Sequence, residues 1–343
     1  ERDEHKITTT DFKDIKNKTD DVCYKYVKHD GLNLKYVVNK TYEICKVGCE
    51  QNGLALQFIT SEMFPEDNYI TLCIIALRNN GSSIKFIKNP SEEMFMFSVV
   101  NDGMILEYCS KEKQTPKICG IAVRQNGRAL RYVKIEQTFD ICMDAVKQFG
   151  LALTLVKEQT KEICEAAIKQ NAFAINYVNN NIKQDEKGFY QLCLLAVRKS
   201  GLAIKLIENQ TEELCLEAIN QDYKSFEYIK NKTPKICLAG VDKNGSNIQF
   251  IDKKDQTDEL CSIAIKNDCG NLQFIKNQTE ELCLTSVRKN GFTLQFVKKQ
   301  TEGICRDAIK QNYESFEYVK KKTPELQKLH DEFKTIHDNS GLA

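Results

Sequence analysis

Residues 279–300 read TEELCLTSVRKNGFTLQFVKKQ, and the fold is decided by how this stretch is read. Thr279, at position 1, precedes an apolar-periodic segment as an N-cap does, and Glu280 and Glu281 behind it sit where a helix dipole favours negative charge. Leu282, Cys283, Ser286 and Val287, at positions 4, 5, 8 and 9, line one face of a helix. Asn290-Gly291 at positions 12 and 13 reads as a C-terminal stop, which makes this helix about ten residues long. Phe292, Leu294, Phe296 and Val297 then form a second apolar set at positions 14, 16, 18 and 19. Its alternation leaves a short strand open, as in leucine-rich repeats of similar period. Positions 15, 18 and 19 (Ala203, Leu206 and Ile207 in another copy) form a helical stripe and favour a second short helix.

The copies are many. Cysteine holds position 5 at Cys23, Cys45, Cys73, Cys119, Cys142, Cys164, Cys193, Cys215, Cys237, Cys261, Cys283 and Cys305, with Phe95 in the fourth copy. Thirteen repeats, numbered 1 to 13 in chain order, thus cover residues 19–322 with a core period of 22. Residues 1–18 remain as an N-terminal extension, and residues 323–343 as a degenerate capping unit and tail. Insertions at 61–68 and 180–188 lengthen two spacings and are expected to be loops on one edge. QDYKSFEYIKNKTPKIC from Gln221 returns as QNYESFEYVKKKTPELQ from Gln311, the trace of a duplicated block. Helices this short do not bury a face without neighbours. The expected fold is therefore all-α: a helical-repeat solenoid of about fourteen units, each a pair of short helices, with a small residue at position 8 letting neighbours approach.

The 343 residues would allow two domains, but the repetition argues for one continuous array. With 28% charged residues and no apolar run near the length of a membrane span, disorder and transmembrane helices are both disfavoured. ERDEHKITTT at the start lacks the pattern of a secretory signal. A net charge of +1 weakens recognition by bulk electrostatics.

One cysteine per repeat is not a metal-ligand pattern. Stacked helices set equivalent residues roughly 9–10 Å apart, beyond disulfide reach. The cysteines read as small buried thiols, which suits a cytoplasmic setting. Cys45 and Cys49 lie four apart but lack companion ligands, whereas Cys109 and Cys269 fall outside the ladder and are expected to be more accessible. His5, His29, His330 and His337 neighbour no candidate nucleophile, and His29 reads as a surface or capping residue. No catalytic residue, metal or cofactor is expected. The Asn-x-Ser/Thr sequons, Asn17 and Asn277 among them, read as by-products of the repeat phase.

Charge is ordered across the repeat. Position 10 is basic at Arg78, Arg124, Lys147, Lys169, Arg198, Lys266, Arg288 and Lys310, while positions 2 and 3 are acidic, predicting one basic and one acidic edge. A second basic set at position 20, with Lys134, Lys276 and Lys298 among it, is a candidate to join the first as a stripe for an acidic partner.

AVRQNGRALRYV (122–133), AVKQFGLALTLV (145–156) and AVRKSGLAIKLI (196–207) resemble a tandem-repeat family described only as a domain of unknown function, with members in giant amoeba-infecting viruses and amoeba-associated bacteria. The resemblance implies an all-helical repeat fold and, for a viral member, a place in the host cytoplasm or the virion; it brings no activity. The expected function is a non-enzymatic scaffold that binds a protein partner along an extended surface. The alternatives are a helical-repeat RNA binder, which the scarcity of surface aromatics disfavours, and a structural component of a viral particle.

Overall fold

The computed structural model describes residues 9–16 and 18–339; His5, the Asn17 sequon, residues 1–8 and residues 340–343 lie outside them. The chain divides into two compact bodies, Glu1–Gln184 with repeats 1 to 7 and Asp185–Ala343 with repeats 8 to 13. Every regular element among the described residues is helical, so each body is a stack of helix pairs and the strand alternative falls. The first helix of each repeat is an α-helix of ten residues, except in repeats 3 and 8, where Glu66–Asn79 and Glu186–Lys199 have fourteen. The second is a six-residue 3-10 helix, such as Gly291–Phe296.

The Asn-Gly pair does something other than stop the first helix in a left-handed turn. Asn290 is extended, at φ −150° and ψ 110°, and its side chain accepts from the Phe292 N–H at 3.0 Å, capping the second helix. Its own N–H meanwhile bonds the Ser286 carbonyl at 3.0 Å, so one residue closes one helix and opens the next. Glycine follows because of space. A Cβ on Gly53 would overlap the carbonyl oxygen of Ala76, at position 8 of the following repeat. Where position 13 is glycine, as in Gly53, Gly127 and Gly150, it therefore meets the small residue at position 8 of the next repeat, whereas repeats 9 and 13 place Tyr223 and Tyr313 at position 13.

A 3-10 helix has three residues per turn, and this resets the core pattern. Positions 13, 16 and 19 share its buried side, as Gly291, Leu294 and Val297 do, and position 15 is buried beside them. Position 18, read from the sequence as core, is exposed or half-buried wherever it occurs.

The insertions fold rather than loop. Residues 61–68 form a 3-10 turn, Ser61–Met63, and then lengthen the helix Glu66–Asn79 by one turn at its start. Residues 180–188 do likewise through Asn180–Lys183 and the start of Glu186–Lys199.

Both ends are covered. In the segment assigned as an extension, Phe12 on the short helix Thr9–Asp14 is fully buried and stacks on Tyr26 at 4.9 Å. At the other end the helix Pro324–Asn339 buries Leu326, and the His330 ring stacks on Phe316 at 4.7 Å.

Candidate functional site

The eight cations at position 10 are all exposed, in the last turn of their helices. A simple rule decides their partners: each pairs where the following repeat carries an acid at position 7. Arg124 meets Asp144 at 2.6 Å, Arg198 meets Glu217 at 3.7 Å and Arg288 meets Asp307 at 2.7 Å. Lys169 instead pairs with Glu165 of its own helix at 2.6 Å. For Arg78, Lys147, Lys266 and Lys310 the next repeat has Phe97, Ala166, Thr285 and Leu329 at that position, and no ion pair forms among the described residues. Half of the ladder is thus neutralised by the stack itself.

The basic set at position 20 lies at the opposite edge, because the second helix runs back towards the start of the first. The Lys298 ammonium donates to the carbonyls of Ile275 and Lys276 at 3.0 and 2.9 Å, and Lys320 repeats the arrangement on Val297 and Lys298 at 2.9 and 3.0 Å. These lysines hold the preceding repeat. About 15 Å of helix separates them from position 10, so the two sets do not merge into one stripe.

Glutamines, absent from the sequence reading, carry the polar bonding between repeats. Just before the Thr cap, Gln278 accepts from the Lys298 N–H at 2.8 Å and donates to the carbonyls of Leu272 and Phe296 at 3.0 Å each. Gln114, Gln137, Gln159, Gln210, Gln256 and Gln300 make the same bridge. A second row at position 11 clamps the other edge: Gln148 accepts from the Gly127 N–H at 2.6 Å and donates to the Gln125 carbonyl at 3.4 Å. The signal was present, since Gln precedes the Thr in seven repeats, but a polar residue at a helix boundary reads as a loop residue until its partners are known.

The cysteine ladder connects to this network. The thiol of Cys119 lies 3.6 Å from Oε1 of Gln114, and Cys164 stands 3.6 Å from Oε1 of Gln159, as weak donors. None of the fifteen cysteines, all among the described residues, is in a disulfide, and every one but the half-buried Cys269 is buried. Cys109, expected to be accessible, is fully buried because it occupies position 19, where other repeats place Val or Ile. Burial pushes the thiols of Cys45, Cys73, Cys119 and Cys164 up to about 11 and that of Cys49 up to about 12, which leaves little thiolate at neutral pH. Among the described residues no group of His, Cys, Asp or Glu could hold a metal ion, and no helix is long and apolar enough to cross a membrane. His29 ends the first helix of repeat 1, where its carbonyl accepts from Gln51 at 3.2 Å.

Two surface features remain. Position 18 presents a ladder of rings on the 3-10 layer, with Tyr36, Phe58, Phe86, Tyr108 and Tyr132 in the first body and Lys35, Lys85 and Arg131 directly before three of them. Lys35 lies 4.6 Å from the centre of the Tyr36 ring and Lys85 5.0 Å from that of Phe86. The scarcity of surface aromatics expected from sequence is therefore corrected: the rings are there, displaced from the core by the 3-10 geometry. The other feature is apolar. Ile70, Ile74, Phe97 and Val100 are exposed on the first helices of repeats 3 and 4, and Val100 stands at position 10, where most other repeats carry a charge.

No curated protein and no solved structure matches the chain. Residues 160–211, which run from the Thr cap of repeat 7 through the insertion and repeat 8 to the Thr cap of repeat 9, match the family model of a domain of unknown function, DUF4116.

Proposed function

We propose that the protein is a non-enzymatic scaffold that binds a protein partner on the outer faces of its stacked helices. The observation that carries this reading is the exposed apolar surface of Ile70, Ile74, Phe97 and Val100, grouped on the first helices of two successive repeats. Buried thiols outside any disulfide support a reducing, cytoplasmic setting. Crosslinking pull-down from native lysate tests it: a protein partner recovered in constant ratio is expected, and turnover of a small substrate without any partner would overturn it.

The aromatic ladder supports a second reading, single-stranded RNA stacked on Tyr36, Phe58, Phe86, Tyr108 and Tyr132 beside Lys35, Lys85 and Arg131. Salt-dependent RNA binding lost in Tyr108→Ala and Tyr132→Ala would place it above the scaffold reading. A role as a structural component of a virion rests on the family resemblance alone, and mass spectrometry of purified particles tests it.

A further inference from the structure

We propose that the outer face formed by the first helices of repeats 3 and 4 and continued by Ile121 of repeat 5 is the docking site for a cationic amphipathic helix of a partner protein. This rests on the scaffold reading and names its contact.

Where repeats 5 and 6, 8 and 9, or 12 and 13 meet, an arginine at position 10 bonds an acid at position 7 of the next helix. At the two junctions on either side of repeat 4, position 7 is Phe97 and then Ile121, and position 10 of repeat 4 is Val100. Apolar side chains thus replace the surface ion pair at consecutive interfaces, and Ile74 at position 6 extends the patch on the same side of its helix as Arg78. The helix Glu92–Asn101 shows the same departure by itself. It buries Phe95, Ser98 and Val99, yet Phe97 and Val100 on its other side are 43% and 57% exposed, and it carries no basic residue. Between its acidic first turn and Asn101 this helix is apolar nearly all round, and such a stretch is ordinarily covered on all sides.

The spacing indicates what covers it. Ile70 and Ile74 are four apart on one helix, and Phe97 and Val100 three apart on the next, so they form two apolar ridges. At the start of these helices a groove of about 540 Å³ adjoins the first ridge at Ile70 and is lined further by Ile87, Met94, Glu66 and Lys88. Side chains recurring every three or four residues on a third helix fit such a surface.

Charge selects the partner. The two helices carry Glu66, Asp67, Glu92 and Glu93 in their first turns and only Arg78 in return. None of these four carboxylates is in an ion pair among the described residues. The complement is a helix with an apolar face and lysine or arginine at its flanks. Nucleic acid or an anionic bilayer would bring negative charge onto uncompensated carboxylates.

The test uses the full chain and a fluorescein-labelled leucine/lysine helical peptide of about 18 residues, followed by anisotropy, with a leucine/glutamate peptide of the same apolar face as comparison. The leucine/lysine peptide is expected to bind at least about tenfold more tightly than its acidic counterpart. Phe97→Ser with Val100→Ser should weaken it about tenfold or more, whereas Ile336→Ser, at an exposed apolar residue of the C-terminal helix, should leave it unchanged. Glu92→Lys with Glu93→Lys keeps the apolar face and should favour the acidic peptide; circular dichroism shows that each variant is folded. No binding, equal affinity for both peptides, or indifference to the Phe97 and Val100 changes would overturn the proposal. So would self-association of the chain abolished by the same double change, which would assign the face to a second copy. If crosslinking finds protein partners that neither double variant releases, the scaffold reading stands and this face is not its contact.

Discussion

Gly53 and Ala76 show how closely their two repeats approach, because a single methyl group on Gly53 would overlap the Ala76 carbonyl oxygen. Gly53→Ala is expected to destabilise the first body by about 1–3 kcal/mol, read as a lower urea midpoint. An unchanged midpoint would mean that the layers are spaced more widely. Gly240 is small for a different reason. A Cβ there would strike the ring of Phe226, which stands where most repeats place Leu or Ile, whereas the duplicated Phe316 is covered by the His330 ring instead. The buried thiols make a prediction about pH. Cys45 and Cys73 titrate at about 11 and Cys49 at about 12 in the folded chain, against about 8.5 for an unfolded thiol. Between these values the unfolded state holds fewer protons than the native one, so stability falls as pH rises from about 8.5 towards 11 and is unaffected by thiols below that window. Urea denaturation at pH 7.5 and 10 checks this, with Cys49→Ala expected to show the shallower fall.

At the scale of the element, what joins one helix pair to the next is unequal in strength. Gln278 satisfies one backbone N–H and two carbonyls, and Gln278→Ala should cost about 1–3 kcal/mol by leaving them without partners. Asn290→Ala removes the cap of one 3-10 helix and should cost about 1 kcal/mol. Asp307→Ala, which breaks the ion pair with Arg288 on the exposed surface, should change stability by less than about 1 kcal/mol. Denaturant titration of the three variants gives the ranking, and an aspartate effect larger than the glutamine effect would contradict it. Outside repeats 3 and 8, whose first helices begin a turn earlier within the insertions, the start of the first helix, its ten-residue length and its inner face were legible in the sequence, because capping and 3.6-residue periodicity are local. The second helix was legible as a helix but not as a 3-10 helix. Its six residues carry too few turns for a period of 3.0 to be told from 3.6, and the aromatic at position 18 was consequently placed in the core.

For the whole molecule, the chain contacts fall into two bodies divided between Gln184 and Asp185. The insertion of repeat 7 lies at this division, and Asn179 to Lys187 is a polar, almost wholly exposed stretch. Limited trypsin digestion is expected to cut first at Lys183 or Lys187 and to leave two resistant fragments. Early cleavage spread evenly over the repeats would argue against two bodies. The basic ladder was legible as eight residue numbers, but its state was not. Whether an arginine at position 10 is free depends on a residue about twenty positions later, as Asp144 is for Arg124.

The sequence by itself determined the repeat, its period, the helical class and the small residues that let repeats touch, since each of these follows from local propensity and simple recurrence. Only the tertiary structure decided which polar side chains bridge repeats, which aromatics face solvent, that Cys109 is buried and that the first helices of repeats 3 and 4 leave an apolar face open. Those outcomes depend on what the neighbouring repeat places opposite each side chain, and the register that sets those neighbours exists only once the helices are stacked.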